Sequence, residues 1–293
     1  GEEGAPAVKR ALILLLTAAG CTAGPAPLVV GSKPFAESEL LGEMAAQLAE
    51  ADGARVERKF YLGGQICFEA LKKGELDLYA EYTGTGLVNL LGEPPATDPD
   101  AVFARVQGEF KSRWGLDWLP RLGFNNTYAL VARQDDAARR GLKTLSDLPK
   151  AKGLRCGFDL EFADRPDGYK GLAKALGAPF CSEVRQMAPG LMYEALARGD
   201  VDVISGYSTD GRIAALKLVA LADDRRFFPP YDAAPLAGPK AFEKAPKLRA
   251  RLETLAGRLT DARMTRLNAA VVAEKRQAKD VAREFLAAEG LLR

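Results

Sequence analysis

The 293-residue chain carries 41 Lys and Arg against 39 Asp and Glu, a formal net charge of +2 at pH 7, too near neutral to mark a nucleic-acid binder by charge alone. Apolar residues make up 47% and charged residues 27%, which excludes disordered and fibrous chains and leaves material for a sizeable core. There is no histidine, so Ser-His-Asp and Cys-His catalysis, the usual zinc and haem sites and a histidine pH switch are excluded.

In chain order, Lys9 and Arg10 precede an apolar run from Ala11 to Ala19 that is too short to span a bilayer and reads as a signal peptide. The segment Leu16-Thr17-Ala18-Ala19-Gly20-Cys21 resembles a bacterial lipobox, which makes Cys21 the lipidated mature N-terminus. A secretory cut near Ala19 with Cys21 incidental is the alternative, and either way the protein leaves the cytoplasm. Residues 1–27, with Pro25 and Pro27, are assigned to leader and tether. Of the other cysteines, Cys67, Cys156 and Cys181, none forms a CxxC pair, so zinc and redox motifs are not expected. A Cys156–Cys181 disulfide and buried free thiols both stay open.

Apolar runs at Leu28–Gly31, Leu76–Ala80, Tyr128–Ala132, Leu154–Phe158, Val201–Ser205 and Leu218–Leu221 predict strands. Segments of helical length lie between them, the first at Glu37–Ala51 with Leu40, Leu41, Met44, Ala45 and Leu48 at helical spacing. This alternation is that of an α/β protein. The tail from Pro246 to Leu292 predicts three helices with a solvated charged face.

An internal repeat organises the middle of the chain. Glu69–Gly86 reads EALKKGELDLYAEYTGTG and Glu194–Gly211 reads EALARGDVDVISGYSTDG, with seven identities in eighteen positions. Each copy reads as helix end, Gly cap, buried strand and polar loop, and Tyr82 aligns with Tyr207. A weaker echo sets Phe35-Ala36-Glu37 against Phe162-Ala163-Asp164. Two units about 125 residues apart predict two similar α/β lobes. Ligands of open α/β sheets sit beyond the carboxyl ends of strands and between domains, so the paired tyrosines are expected to face a shared cleft.

The stretches VVGSKPFAESELLGE, ALKKGELDLYAEYTGTGL, DRPDG and YSTDGRIAALKLVALADDRRFFPPYDAAP resemble the substrate-binding proteins of osmoprotectant ABC transporters, which take glycine betaine, choline and related compatible solutes. The resemblance runs from about Leu28 to the C-terminus. It implies a two-lobed, type II-like periplasmic-binding-protein fold with two interlobe crossings, lobe one comprising 28–127 plus 230–293 and lobe two 128–229. It implies a tyrosine cage of Tyr82, Tyr128, Tyr207 and Tyr231, because a trimethylammonium group donates no N–H bond and is held by cation–π attraction. It also implies Lys33 and Arg165, assisted by the Thr85 hydroxyl, as the carboxylate end of the site. If both cations face the cleft, glycine betaine is expected over choline. The remaining tyrosines, Tyr61, Tyr79, Tyr169 and Tyr193, are expected to be packing residues.

The implied partners are a membrane permease and its ATPase subunit, with membrane attachment through the lipid anchor, no cofactor, no metal and no nucleic acid. The absence of a GxxxxGK[ST] loop agrees with ATP hydrolysis on another subunit. Two other classes compete. An enzyme would use Asp77, Glu81, Asp167 or Asp202 as acid or base, and no nucleophile accompanies them. A ligand sensor reporting to a membrane receptor would share every residue above.

Overall fold

The computed structural model describes Glu2 and residues 26–292; the leader and Cys21 lie outside the described residues. Among the described residues, ten strands form two five-stranded sheets. They are β1 (Leu28–Gly31), β2 (Val56–Lys59), β3 (Leu78–Tyr82), β4 (Asp117–Trp118), β5 (Tyr128–Arg133), β6 (Leu154–Phe158), β7 (Cys181–Gln186), β8 (Val203–Tyr207), β9 (Leu218–Ala220) and β10 (Ala233–Ala237).

The sheet orders are β2-β1-β3-β10-β4 and β7-β6-β8-β5-β9. In each, the first three strands run parallel and the last two antiparallel to their neighbours. The sequence repeat is therefore a repeat of topology, with β3 and β8 as equivalent central strands. The helices before them, Gly64–Lys73 and Pro189–Arg198, both end on a left-handed glycine, Gly74 at φ 72° and Gly199 at φ 83°. Only glycine takes that conformation freely, which is why the cap survives in both copies.

The chain leaves the first sheet after Trp118, enters the second at Tyr128, and returns between Ala220 and Ala233. These two crossings run side by side, joined by the antiparallel bridge Asn125–Asp232 and by the Asn126 N–H donating to the Tyr231 carbonyl at 3.1 Å.

The helix Ala36–Ala51 is buried along most of its length, with Leu40, Met44 and Leu48 fully covered. Burying each such side chain contributes about 2 kcal/mol. The cover comes from the tail, whose three helices Leu248–Glu253, Asp261–Val272 and Ala278–Ala288 all contact it. On the other face of the first sheet, Phe68, Phe110 and Trp118 form a second core.

Cys156 and Cys181 are joined in a disulfide that ties β6 to the edge strand β7, and Cys67 is a buried free thiol. Burial pushes the Cys67 thiol up to about 12. Tyr79 and Tyr193 are fully buried and Tyr169 packs between Phe158 and Phe180. Tyr61 departs from its expected packing role: it is 58% exposed and its hydroxyl donates to Glu39.

Candidate functional site

A cavity of about 310 Å³ lies between the two sheets, bounded by the segments that leave their strand ends. Lys33 and Phe35 follow β1, Thr85 follows β3, and Asp159, Leu160 and Glu161 follow β6; Tyr82 and Tyr207 are the last residues of β3 and β8, and Tyr128 is the first of β5. Tyr231 comes from the second crossing. Parallel strands that share a direction deliver their carboxyl ends to one rim, which is how distant residues meet here.

All four expected cage tyrosines line the cavity. Tyr128 is central, with its ring 5.6 Å from Tyr207 and 5.5 Å from Tyr231, the latter edge-on. Phe35 completes the wall, stacked on Tyr207 at 5.5 Å and lying 6.1 Å from Tyr82. These five rings form one arc. Phe35 was absent from the expected site, although its repeat match to Phe162 was a usable signal. The Phe162 ring backs Tyr128 at 4.8 Å. Gly84 lets the arc close: a Cβ there would stand 2.8 Å from the Tyr231 ring and from the Pro230 carbonyl.

The hydroxyls divide the tyrosines into two kinds. Tyr82 donates to Glu37 Oε1 at 2.8 Å and Tyr231 to Asp167 Oδ2 at 2.5 Å. The Tyr128 and Tyr207 hydroxyls have no protein partner among the described residues.

Lys33 lines the cavity with its ammonium 5.2 Å from the Tyr82 ring centre, and it is paired with the fully buried Glu81. Glu81 also accepts from the Tyr79 hydroxyl and the Tyr82 N–H. Arg165 does not line the cavity. It is buried behind the arc, forked onto Asp167 at 2.7 and 2.6 Å, with Tyr231 Oη at 3.3 Å and Thr85 Oγ1 at 3.5 Å. Thr85 itself lines the cavity and opens the π-helical turn Thr85–Leu90. Both cations are thus neutralised within the protein, which sequence spacing could not show.

Glu37 is the group that sequence reasoning missed. It is 3% exposed and receives four hydrogen bonds of 2.5–2.8 Å, from Tyr82, Asn126 of the first crossing, Thr209 after β8 and Asn268 of the tail. Burial raises its pKa, and those four donors act against the rise. Asp159 is also raised by burial, opposed by the Phe162 N–H it accepts as the cap of the helix Leu160–Asp164.

The candidate acids for catalysis are engaged elsewhere. Asp77 holds the Val29 N–H and Lys244, Asp202 holds Arg155, and Glu81 and Asp167 are paired as above. Among the described residues no acidic or cysteine cluster is arranged to hold a metal, and no helix is long and apolar enough to cross a membrane.

Residues 26–288 match the family described as the substrate binding domain of ABC-type glycine betaine transport systems. The carnitine transport binding protein OpuCC of Listeria monocytogenes is 38% identical over 262 residues, covering 88% of this chain and 85% of that protein. A glycine-betaine-binding protein of Pseudomonas aeruginosa is 34% identical over 276 residues, covering 90% and 88%. A crystal structure described as a glycine betaine/carnitine/choline ABC transporter superposes with a TM-score of 0.73 at 35% identity, covering 90% of this chain and 99% of that one.

Proposed function

This chain belongs to the family of substrate-binding domains of ABC-type glycine betaine transport systems, a transporter component and not an enzyme, and we propose that its cavity receives one trimethylammonium solute. Glycine betaine, carnitine and choline are the candidates, and Lys33 in the cavity wall favours those that carry a carboxylate. The observation that carries the reading is the arc of Phe35, Tyr82, Tyr128, Tyr207 and Tyr231 around a cavity between two sheets. Aromatic faces attract a methylated cation that offers no hydrogen bond, at about 0.5 to 2 kcal/mol for each ring.

In this proposal the four tyrosines hold the cation. Lys33 and Thr85 meet the ligand's carboxylate, and Arg165 supports that end from behind. The lobes divide at 28–127 plus 230–293 and 128–229. A solute touching both lobes stabilises the closed form, since only that form satisfies all its partners. The closed protein then delivers the solute, outside the cytoplasm, to a permease driven by a separate ATPase. Cys21 carries a lipid that keeps the protein at the membrane, after removal of the leader.

Calorimetric titration with glycine betaine, choline, carnitine and proline tests the reading, using protein unfolded and refolded to strip bound ligand. A trimethylammonium solute is expected to bind, and to lose at least tenfold in affinity in Tyr128→Ala. No heat from any member of the panel sinks the proposal.

A further inference from the structure

Two of the four cage tyrosines end on carboxylates that lie outside the cavity. Glu37 and Asp167 are 3% and 0% exposed, yet each accepts the hydroxyl proton of a ring that lines the cavity, Tyr82 at 2.8 Å and Tyr231 at 2.5 Å. The two carboxylates come from unrelated places, the first turn of the helix Ala36–Ala51 and the loop after the helix Leu160–Asp164. Tyr128 and Tyr207, by contrast, have free hydroxyls among the described residues.

Resting on the reading of the cavity as a trimethylammonium site, we propose that Glu37 and Asp167 are positioning residues that give the cage its selectivity for positive charge. Both fix the plane of a ring, Tyr82 and Tyr231, and Glu37, which has no bound cation among the described residues, also enriches the Tyr82 face with electron density.

The physical route is the phenolic hydrogen bond. A phenol that donates to a carboxylate in a low-dielectric site makes a charge-assisted bond, and the polarisation moves electron density from the shared proton toward the ring. The attraction of a ring for a cation depends on the negative charge of its face, so such a ring is the better host. Cations already lie by these rings: the Lys33 ammonium is 5.2 Å from the Tyr82 centre, and the Arg165 guanidinium is 5.8 Å from that of Tyr231 and 5.5 Å from that of Tyr128. Those resident cations are cancelled by Glu81 and Asp167, and among the described residues Glu37 has no cation of its own. Every partner of Glu37 is a neutral donor, and its place in the first turn of a helix favours negative charge. Glu37 thus supplies negative potential to the cavity through Tyr82 while staying away from the solute, whereas Asp167, neutralised by Arg165, holds the Tyr231 ring in place.

The test compares choline with its neutral isostere 3,3-dimethyl-1-butanol, which has the same shape without the charge. Both are titrated into the purified wild type and into Glu37→Gln, Tyr82→Phe, Asp167→Asn and Tyr231→Phe. The phenylalanine variants remove only the hydroxyl, so they report even if Asp167→Asn, which strands the Arg165 charge, does not fold. The ratio of choline to isostere affinity is expected to fall about three- to tenfold in Tyr82→Phe and in Glu37→Gln. It should fall no further in their double variant, because the two act through one bond. Equal weakening of both ligands, or an unchanged ratio, overturns the inference and leaves the cage standing. Failure of the wild type to bind choline, glycine betaine or carnitine overturns both.

Discussion

Asp77 and Asp202 occupy one position in two lobes. Each accepts the N–H of the second residue of its sheet's first parallel strand, Val29 at 2.6 Å and Arg155 at 3.0 Å. Each also returns its own N–H to that residue's carbonyl, at 2.8 and 2.7 Å. A carboxylate that closes such a ring fixes the register of the central strand, and so fixes where the tyrosine at the strand's end emerges.

Acid should therefore weaken the second lobe through Asp202. Burial opposes its charge, but the Arg155 side chain and N–H outweigh burial and bring the carboxyl down to about 2. A depressed carboxyl stabilises fully above the unfolded value of about 4, and that stability is lost as pH falls toward 2. Asp202→Asn is expected to cost about 2 kcal/mol at pH 7 and to flatten this acid limb, read from urea unfolding between pH 2 and 7. Glu37 works in the opposite sense: its raised carboxyl favours the fold below the usual glutamate range, and that contribution is lost as pH rises through its folded value.

Lys33→Met is expected to destabilise the protein by about 3 to 5 kcal/mol, because it leaves Glu81 charged and buried without its cation. Adding Glu81→Gln should recover part of the loss, since the amide can still accept from the Tyr82 N–H. Chemical unfolding of the two variants decides it; equal stability of the single and double variants would mean that Lys33 is not held by the pair.

Reducing the Cys156–Cys181 bond, which closes a 25-residue separation, should cost about 3 kcal/mol and lower the thermal midpoint by several degrees. Cys67 is buried, with its thiol pushed up to about 12, so it should resist a thiol reagent in the folded protein and react on unfolding. Fast labelling of the native protein would show that the first lobe opens locally.

Tyr207→Phe should leave affinity for a trimethylammonium solute within about twofold, because its hydroxyl has no protein partner among the described residues. Tyr207→Ala should lose about tenfold, since it removes the ring that stacks on Phe35. Calorimetry on the pair separates ring from hydroxyl.

The long apolar and repeated segments were legible in the sequence. β1 and β6 match their predicted runs, and the repeat anticipated the matched sheets. β2 and β7 were missed because their side chains alternate between half-buried and exposed or lie largely in solvent, so they carry no apolar run. β10, Ala233–Ala237, was hidden by small residues and a proline. The four tyrosines that line the cavity were picked out by the repeat and the family resemblance. The pairing of Lys33 with Glu81 and of Arg165 with Asp167 was not, because a charge pattern does not say which acid faces which base once both are buried. Glu37 looked like an ordinary first-turn acid, and only the convergence of Asn126, Thr209 and Asn268 reveals it as a hub.

The strand orders also set a timetable for the chain as it emerges. Among the described residues the second sheet draws on 128–220, whereas β4 of the first sheet pairs with β10, which ends at Ala237. Contacts between near neighbours in sequence close soonest. The second lobe can therefore mature while the first is still waiting for its missing strand. The cavity comes last, because Tyr231 must arrive to line it and Asn268 to complete the bonds around Glu37. A chain cut short in its final tenth would keep both sheets and lose the helix Ala278–Ala288 that covers Ala36–Ala51, leaving apolar surface open to aggregation just where binding competence is assembled.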